Sequence, residues 1–138
     1  MEIFVEQECE MRLVVAPDYS IGVATRLWYS PHDPYAVYVD FHTGSDTRTT
    51  WVFARDLLAQ GIVRASGDGD VRIRPARAGR RRVLYLALSA PGGQALFQAP
   101  LAVVERWLKR THQVVPRGEE SQLLDLDVEL CELLGEAA

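Results

Sequence analysis

Residues 2–13 read Glu-Ile-Phe-Val-Glu-Gln-Glu-Cys-Glu-Met-Arg-Leu, and the alternation in this stretch decides the fold class. Ile3, Val5, Gln7, Cys9, Met11 and Leu13 share one side; Glu2, Phe4, Glu6, Glu8, Glu10 and Arg12 share the other. A period of two with a largely apolar face and a charged face marks a half-buried antiparallel strand. Ala16-Pro17-Asp18-Tyr19-Ser20 then supplies turn chemistry, and Ile21 to Ser30 alternates again, placing Ile21, Val23, Leu27 and Tyr29 together. After Pro31-His32-Asp33-Pro34, a third strand carries Tyr35, Val37, Val39 and Phe41 on one face and Tyr38, Asp40 and His42 on the other. Thr43-Gly44-Ser45-Asp46 turns into a fourth strand, about 47–53.

Ala54 to Gln60 (ARDLLAQ) is built of good helix formers, and Gly61 is expected to end that helix in a left-handed conformation. The plan then repeats. Short strands are expected near 62–65, 71–75, 82–89 and 94–99, separated by Gly67-Asp68-Gly69-Asp70, the arginine turn at Gly79 and Pro91-Gly92-Gly93. Pro100 suits the first turn of a helix reaching about His112, with Leu101, Val104, Leu108 and Thr111 on one face. Residues 114–121 (VVPRGEES) form an exposed connector, and Asp125 or Asp127 opens a terminal helix that ends at Gly135. Two rounds of four strands plus a helix, closed by a last helix, predict an α+β protein with two antiparallel sheets of about four strands.

The chain has 138 residues, 48% hydrophobic and 25% charged, which suits a single domain over 1–138 with an ordinary core. Cys9 and Cys131 have no metal-type spacing and read as reduced thiols rather than a bridge. The amino terminus carries acids where a secretory signal would carry bases. Residues 83–104 lack charge but include Pro91, Gly92, Gly93 and Pro100, which excludes a continuous membrane helix. A cytoplasmic protein is expected.

Charge is uneven. Net charge is −4, yet six of the fifteen basic residues fall within 71–82 (VRIRPARAGRRR), which holds no acid. That leaves nine bases against nineteen acids elsewhere, a balance of −10. An acidic body with one basic hairpin is a poor match for a polyphosphate backbone, so no nucleic-acid partner is expected. Arg77, Arg80, Arg81 and Arg82 are the candidate partner-binding residues, for phosphate or an acidic partner.

Catalytic signals are weak. Asp40 and His42 project from one strand face, but no nucleophile motif accompanies them, and two polar residues on a wet face is the simpler reading. None of the familiar hydrolase, zinc-protease or nucleotide-binding motifs occurs. Gly67 to Asp70 lacks calcium-loop spacing and reads as a turn. Neither catalytic residue, cofactor nor metal is expected. Trp51 and Trp107 read as core, whereas Trp28 lies on the Arg26 face and stays open as a stacking platform.

Several stretches together resemble the SsgA-like regulators of actinomycete sporulation and cell division. They include Asp33-Pro34-Tyr35-Ala36-Val37, Phe41-His42-Thr43-Gly44, Trp51-Val52-Phe53-Ala54-Arg55-Asp56-Leu57-Leu58 and Ala87-Leu88-Ser89-Ala90-Pro91-Gly92-Gly93. Leu108-Lys109-Arg110-Thr111, Val115-Pro116 and Asp125-Leu126-Asp127 follow in the family's order, so the resemblance covers nearly the whole chain. It implies a non-catalytic adaptor that brings the division protein FtsZ to septum sites together with an SsgA-type protein, and a homo-oligomer that is ring-like. It also implies a fold similar to Whirly-type single-stranded nucleic-acid-binding domains, which makes nucleic-acid binding the alternative function.

Overall fold

The computed structural model describes residues 4–44 and 46–122. Seven strands and two helices follow in the order β1 (Val5–Ala16), β2 (Tyr19–Tyr29), β3 (Ala36–His42), β4 (Arg48–Ala54), α1 (Arg55–Val63), β5 (Val71–Ala78), β6 (Arg81–Ala90), β7 (Gly93–Pro100) and α2 (Leu101–Val114). The α+β class and the antiparallel pairing follow from the alternation. The two four-stranded sheets do not. All seven strands form one antiparallel sheet in the order β4-β3-β2-β1-β7-β6-β5.

Two meanders, β1–β4 and β5–β7, meet at a short seam where Arg12 pairs with Gln98 and Leu13 with Phe97. The repeat in the sequence is therefore real as a pattern of meander plus helix, but the seam makes one sheet of it. The eighth strand, expected near 62–65, is absent: α1 runs on through Val63, and only Ser66 forms an isolated bridge, to Ile73.

Helix α1 runs on because Gly61 does not stop it. Gly61 is not among the glycines with positive φ; it lies inside the helix and is buried. A Cβ built there would lie 2.6 Å from the Ile73 Cβ, so the missing side chain lets α1 press onto β5. Gly61→Ala is expected to cost about 1–3 kcal/mol by overpacking, despite alanine's better helix propensity. A urea unfolding series checks this, and an unchanged or raised midpoint would refute it.

The core lies on one face of the sheet. Val5 and Met11 of β1, Leu27 and Tyr29 of β2, Val37, Val39 and Phe41 of β3, and Leu84, Leu86 and Leu88 of β6 are buried there. Phe41 and Phe97 stack with ring centroids 4.0 Å apart, although β2 and β1 separate their strands. In a flat sheet β3 and β7 would lie roughly 14 Å apart, so the sheet curls strongly around this face. Both helices pack into the curl. Leu101, Val104, Leu108 and Thr111 of α2 are buried as their spacing predicts, and Trp107 joins them.

Among the described residues β1 has no strand on its β7 side beyond the seam, and α2 supplies donors to its backbone. The Trp107 Nε1 donates to the Val5 carbonyl at 2.9 Å, and Arg110 donates to the Glu6 carbonyl at 2.7 Å. The connector after α2 is not wholly exposed either, since Val115 is buried in the core. The expected terminal helix, with Cys131 in it, lies outside the described residues.

Candidate interaction surfaces

The face of the sheet opposite the core carries two different chemistries. On the β1–β4 half, Trp28 stacks on Tyr38 at 3.9 Å, and Phe4 meets its edge at 5.8 Å. Asp40 is buried under this cluster. It accepts from Trp28 Nε1 at 3.1 Å and Thr50 Oγ1 at 2.7 Å, and Arg26 lies 3.6 Å away. Arg26 also pairs with Glu6 and lies over the Trp28 ring. A buried carboxylate needs this set of donors. Asp40 is thereby committed to holding the strands in register, while His42 sits at the exposed end of β3. Trp28, left open by its position in the sequence, is half-buried between two aromatic neighbours, so its ring faces are not open platforms.

The opposite half is basic. Arg77 and Arg82 face each other across the β5–β6 ladder on the core side, past the end of the core, and Arg80 and Arg81 flank the turn at Gly79, whose φ of 66° favours glycine. All four are exposed and form no ion pair with a described residue. Alternation along β5 adds Arg72 and Arg74 on the outer face, with the Arg74 guanidinium 4.6 Å from the centre of the Tyr85 ring. Arg72 and Arg74 thus extend the basic surface beyond the four hairpin arginines. The alternation Arg72, Ile73, Arg74 was the available signal that the basic surface continues down the strand.

Beneath these arginines lies an open concavity of about 390 Å³ whose wall includes Gly67, Arg72, Arg74, Tyr85, Ala87 and Leu96. A second exposed apolar cluster, Val15, Tyr19 and Ile21, occupies the tip of the β1–β2 hairpin, where Val15 sits at a register shift.

Titratable groups elsewhere are structural. Burial pushes the Cys9 thiol up to about 11, so it stays protonated at neutral pH. Burial likewise pushes Tyr29 up to about 12, against the pull of Arg55, and its hydroxyl donates to the Pro34 carbonyl. Arg55 is the one buried cation among the described residues: it pairs with Glu120 at 2.7 Å, donates to the Thr111 carbonyl at 3.2 Å and stacks on Tyr29. No cluster of three potential metal ligands occurs among the described residues. No described helix is long and apolar enough to cross a membrane.

The family profile described as Streptomyces sporulation and cell division protein, SsgA, matches residues 23–120. That span runs from β2 through both meanders to the Arg55–Glu120 pair. The chain belongs to the SsgA family. Among relatives, the sporulation-specific cell division protein SsgB of Streptomyces coelicolor is 47% identical over 137 residues, covering 99% of this chain and 100% of that one. SsgB of Thermobifida fusca is 45% identical over 128 residues, covering 91% and 93%. Solved structures agree with this SsgA-family assignment. One, described through SsgB mutations that correlate with longitudinal cell division during sporulation of Streptomyces coelicolor, superposes with a TM-score of 0.87 at 46% identity over 89% of this chain and 97% of that one. The SsgA-like sporulation-specific cell division protein of Thermobifida fusca gives 0.88 at 42% over 95% and 96%. A role in sporulation-linked cell division follows for this SsgA-family chain.

Proposed function

We propose that this protein is a non-catalytic adaptor of sporulation-specific cell division that recruits FtsZ to septum sites by direct protein contact, with an SsgA-type protein as second partner. The observation that carries this reading is the β5–β6 hairpin. Arg77, Arg80, Arg81 and Arg82 are presented on an otherwise acidic protein without carboxylates of the described chain to neutralise them. A surface of that kind attracts and orients an acidic partner. The protein works in the cytoplasm at the septum, as a ring-like homo-oligomer held mainly by apolar contacts, because exposed ion pairs contribute only about 0–1 kcal/mol each.

Co-sedimentation with purified FtsZ polymers tests this. The intact protein is expected to pellet with FtsZ, and Arg80→Glu/Arg81→Glu/Arg82→Glu is expected to lower the pelleted fraction at least about fivefold while its mass by light scattering holds. Equal pelleting of the two proteins would refute the assignment of the hairpin. A steeply salt-dependent, sub-micromolar affinity for single-stranded DNA would instead favour the Whirly-like nucleic-acid reading.

A further inference from the structure

We propose that the outer face of β5–β7 is a peptide-docking site for an acidic segment that carries an apolar side chain. This deepens the adaptor reading and rests on it, because it assigns the chemistry that the partner must present. The site has an apolar floor and a cationic rim in one place. Tyr85, Ala87 and Leu96 come from adjacent strands, with Ala87 directly opposite both Arg72 and Leu96. The concavity they line, about 390 Å³, is within the range of ordinary ligand clefts and suits one or two peptide side chains.

Charge selects the occupant. Arg72 and Arg74 line the concavity, and no carboxylate of the described residues does. Asp68 and Asp70 belong to the turn before β5 and stay outside it; the Asp70 carbonyl accepts from the Ser89 N–H at 2.8 Å. Arg74 is held over the Tyr85 ring, which restricts its side chain before any partner arrives and lowers the entropy lost on binding. Arg81, opposite Ala78 near the hairpin turn, lies on the same face as Arg72 and Arg74, so carboxylates flanking an anchor side chain meet cations on the face of the concavity itself.

The peptide does not dock as an eighth strand. Ser66 and Ile73 exchange both backbone hydrogen bonds, at 2.8 and 2.9 Å, and occupy the outer edge of β5. Pro75, two residues on and facing the same way, has no N–H to offer. Recognition therefore runs through side chains on the face, with Gly67 shaping one wall. Its φ is 93°, and a Cβ there would crowd the Val71 carbonyl.

The test is fluorescence anisotropy with the full chain and a labelled probe, the octapeptide Asp-Glu-Asp-Leu-Phe-Asp-Glu-Asp. Saturable binding is expected. Arg72→Glu/Arg74→Glu and, separately, Ala87→Glu should each weaken it at least about tenfold, with thermal melts confirming that each variant folds. A control peptide with Gly-Gly in place of Leu-Phe should bind at least about tenfold more weakly, because the floor has nothing to hold. Four results would each overturn the site: no probe binding, equal binding of the glycine control, unchanged affinity in both folded variants, or loss confined to Arg80→Glu/Arg81→Glu/Arg82→Glu. A fifth concerns the chain's own residues 123–138, which hold Asp125, Asp127, Glu129, Glu132 and Glu136 and no base. If changing these five to their amides raises probe affinity tenfold, that segment is the occupant and the external-partner proposal falls. Probe binding that behaves as expected while FtsZ fails to pellet with the protein would leave the site standing and remove only the FtsZ assignment.

Discussion

Arg55→Ala is expected to lower folding stability by about 3–5 kcal/mol, the range found when one partner of a buried ion pair is removed. Arg55 is 1% exposed at the first position of α1, where its own N–H donates to the Tyr35 carbonyl at 2.7 Å. Its guanidinium joins three parts of the chain: the Thr111 carbonyl near the end of α2, the Glu120 carboxylate beyond it, and the Tyr29 ring on β2. Truncation strands all three at once. Glu120→Gln should cost less, about 1.5–3 kcal/mol, because a neutral acceptor remains. Chemical unfolding monitored by tryptophan fluorescence measures both, and a loss below about 1 kcal/mol for Arg55→Ala would show that the pair adds nothing to the fold.

The same pair sets an acid limit. Burial works against the Glu120 carboxylate, but hydrogen bonds from Arg55, from the backbone and from the Gly118 N–H outweigh it and hold the group below the usual carboxylate range. A depressed carboxyl contributes stability that is in place above its unfolded value near 4.5 and is lost as pH falls through the folded value. His112 is also depressed, first by burial and then by Arg55 and Arg117, so the unfolded chain takes up its proton first as pH drops below about 6.5. Both groups destabilise the fold on acidification. In Arg55→Ala the Glu120 contribution should shrink, flattening the lower part of the stability profile. An identical profile in the two proteins would show that the pair does not cause it.

Alternation was enough to place β1, β2 and β3 from the sequence, because each has one wet face and one core face, whereas β6 was marked only by the turns at its ends. It gave the faces correctly at Val5, Met11, Leu27 and Phe41. It misplaced Ile21 and Tyr35, which are exposed at strand ends where the curl no longer covers them. Gly61 was unreadable locally: a glycine after a helical run fits a stop and a close approach equally well, and only Ile73, twelve positions on, decides. The seam was equally invisible, since two residue pairs between β1 and β7 leave no pattern. For the candidate surfaces, composition located the hairpin arginines, and that was all it could do. The concavity needs Gly67, Ala87 and Leu96, which are ordinary residues in sequence and meet only when three strands and the turn after α1 are assembled. Arg55 shows the same limit in reverse. Within Trp51 to Leu58 it stands among apolar and acidic neighbours like a surface residue, and its partners lie 56 and 65 positions away.

Trp107→Ala is expected to cost a similar 3–5 kcal/mol, through a different mechanism. Trp107 is fully buried, and its Nε1 holds the Val5 carbonyl at the start of β1, seven residues from the seam with β7. Alanine leaves a cavity in the core and frees the Val5 carbonyl from its donor. Trp107→Phe separates the two losses: it keeps most of the ring volume and removes only Nε1, so about 1–3 kcal/mol is expected from the stranded acceptor. Amide exchange then tells whether the helix does the work of a strand. If α2 closes the open side of β1, exchange in Trp107→Ala should quicken along Val5 to Met11 while Leu84 to Leu88, deep in the other meander, keeps its relative protection. Uniform acceleration across both meanders would mean that Trp107 contributes only to global stability. Local acceleration would make α2 the guard of an exposed edge, and the variant should then self-associate through β1, which light scattering would record as a rise in mass.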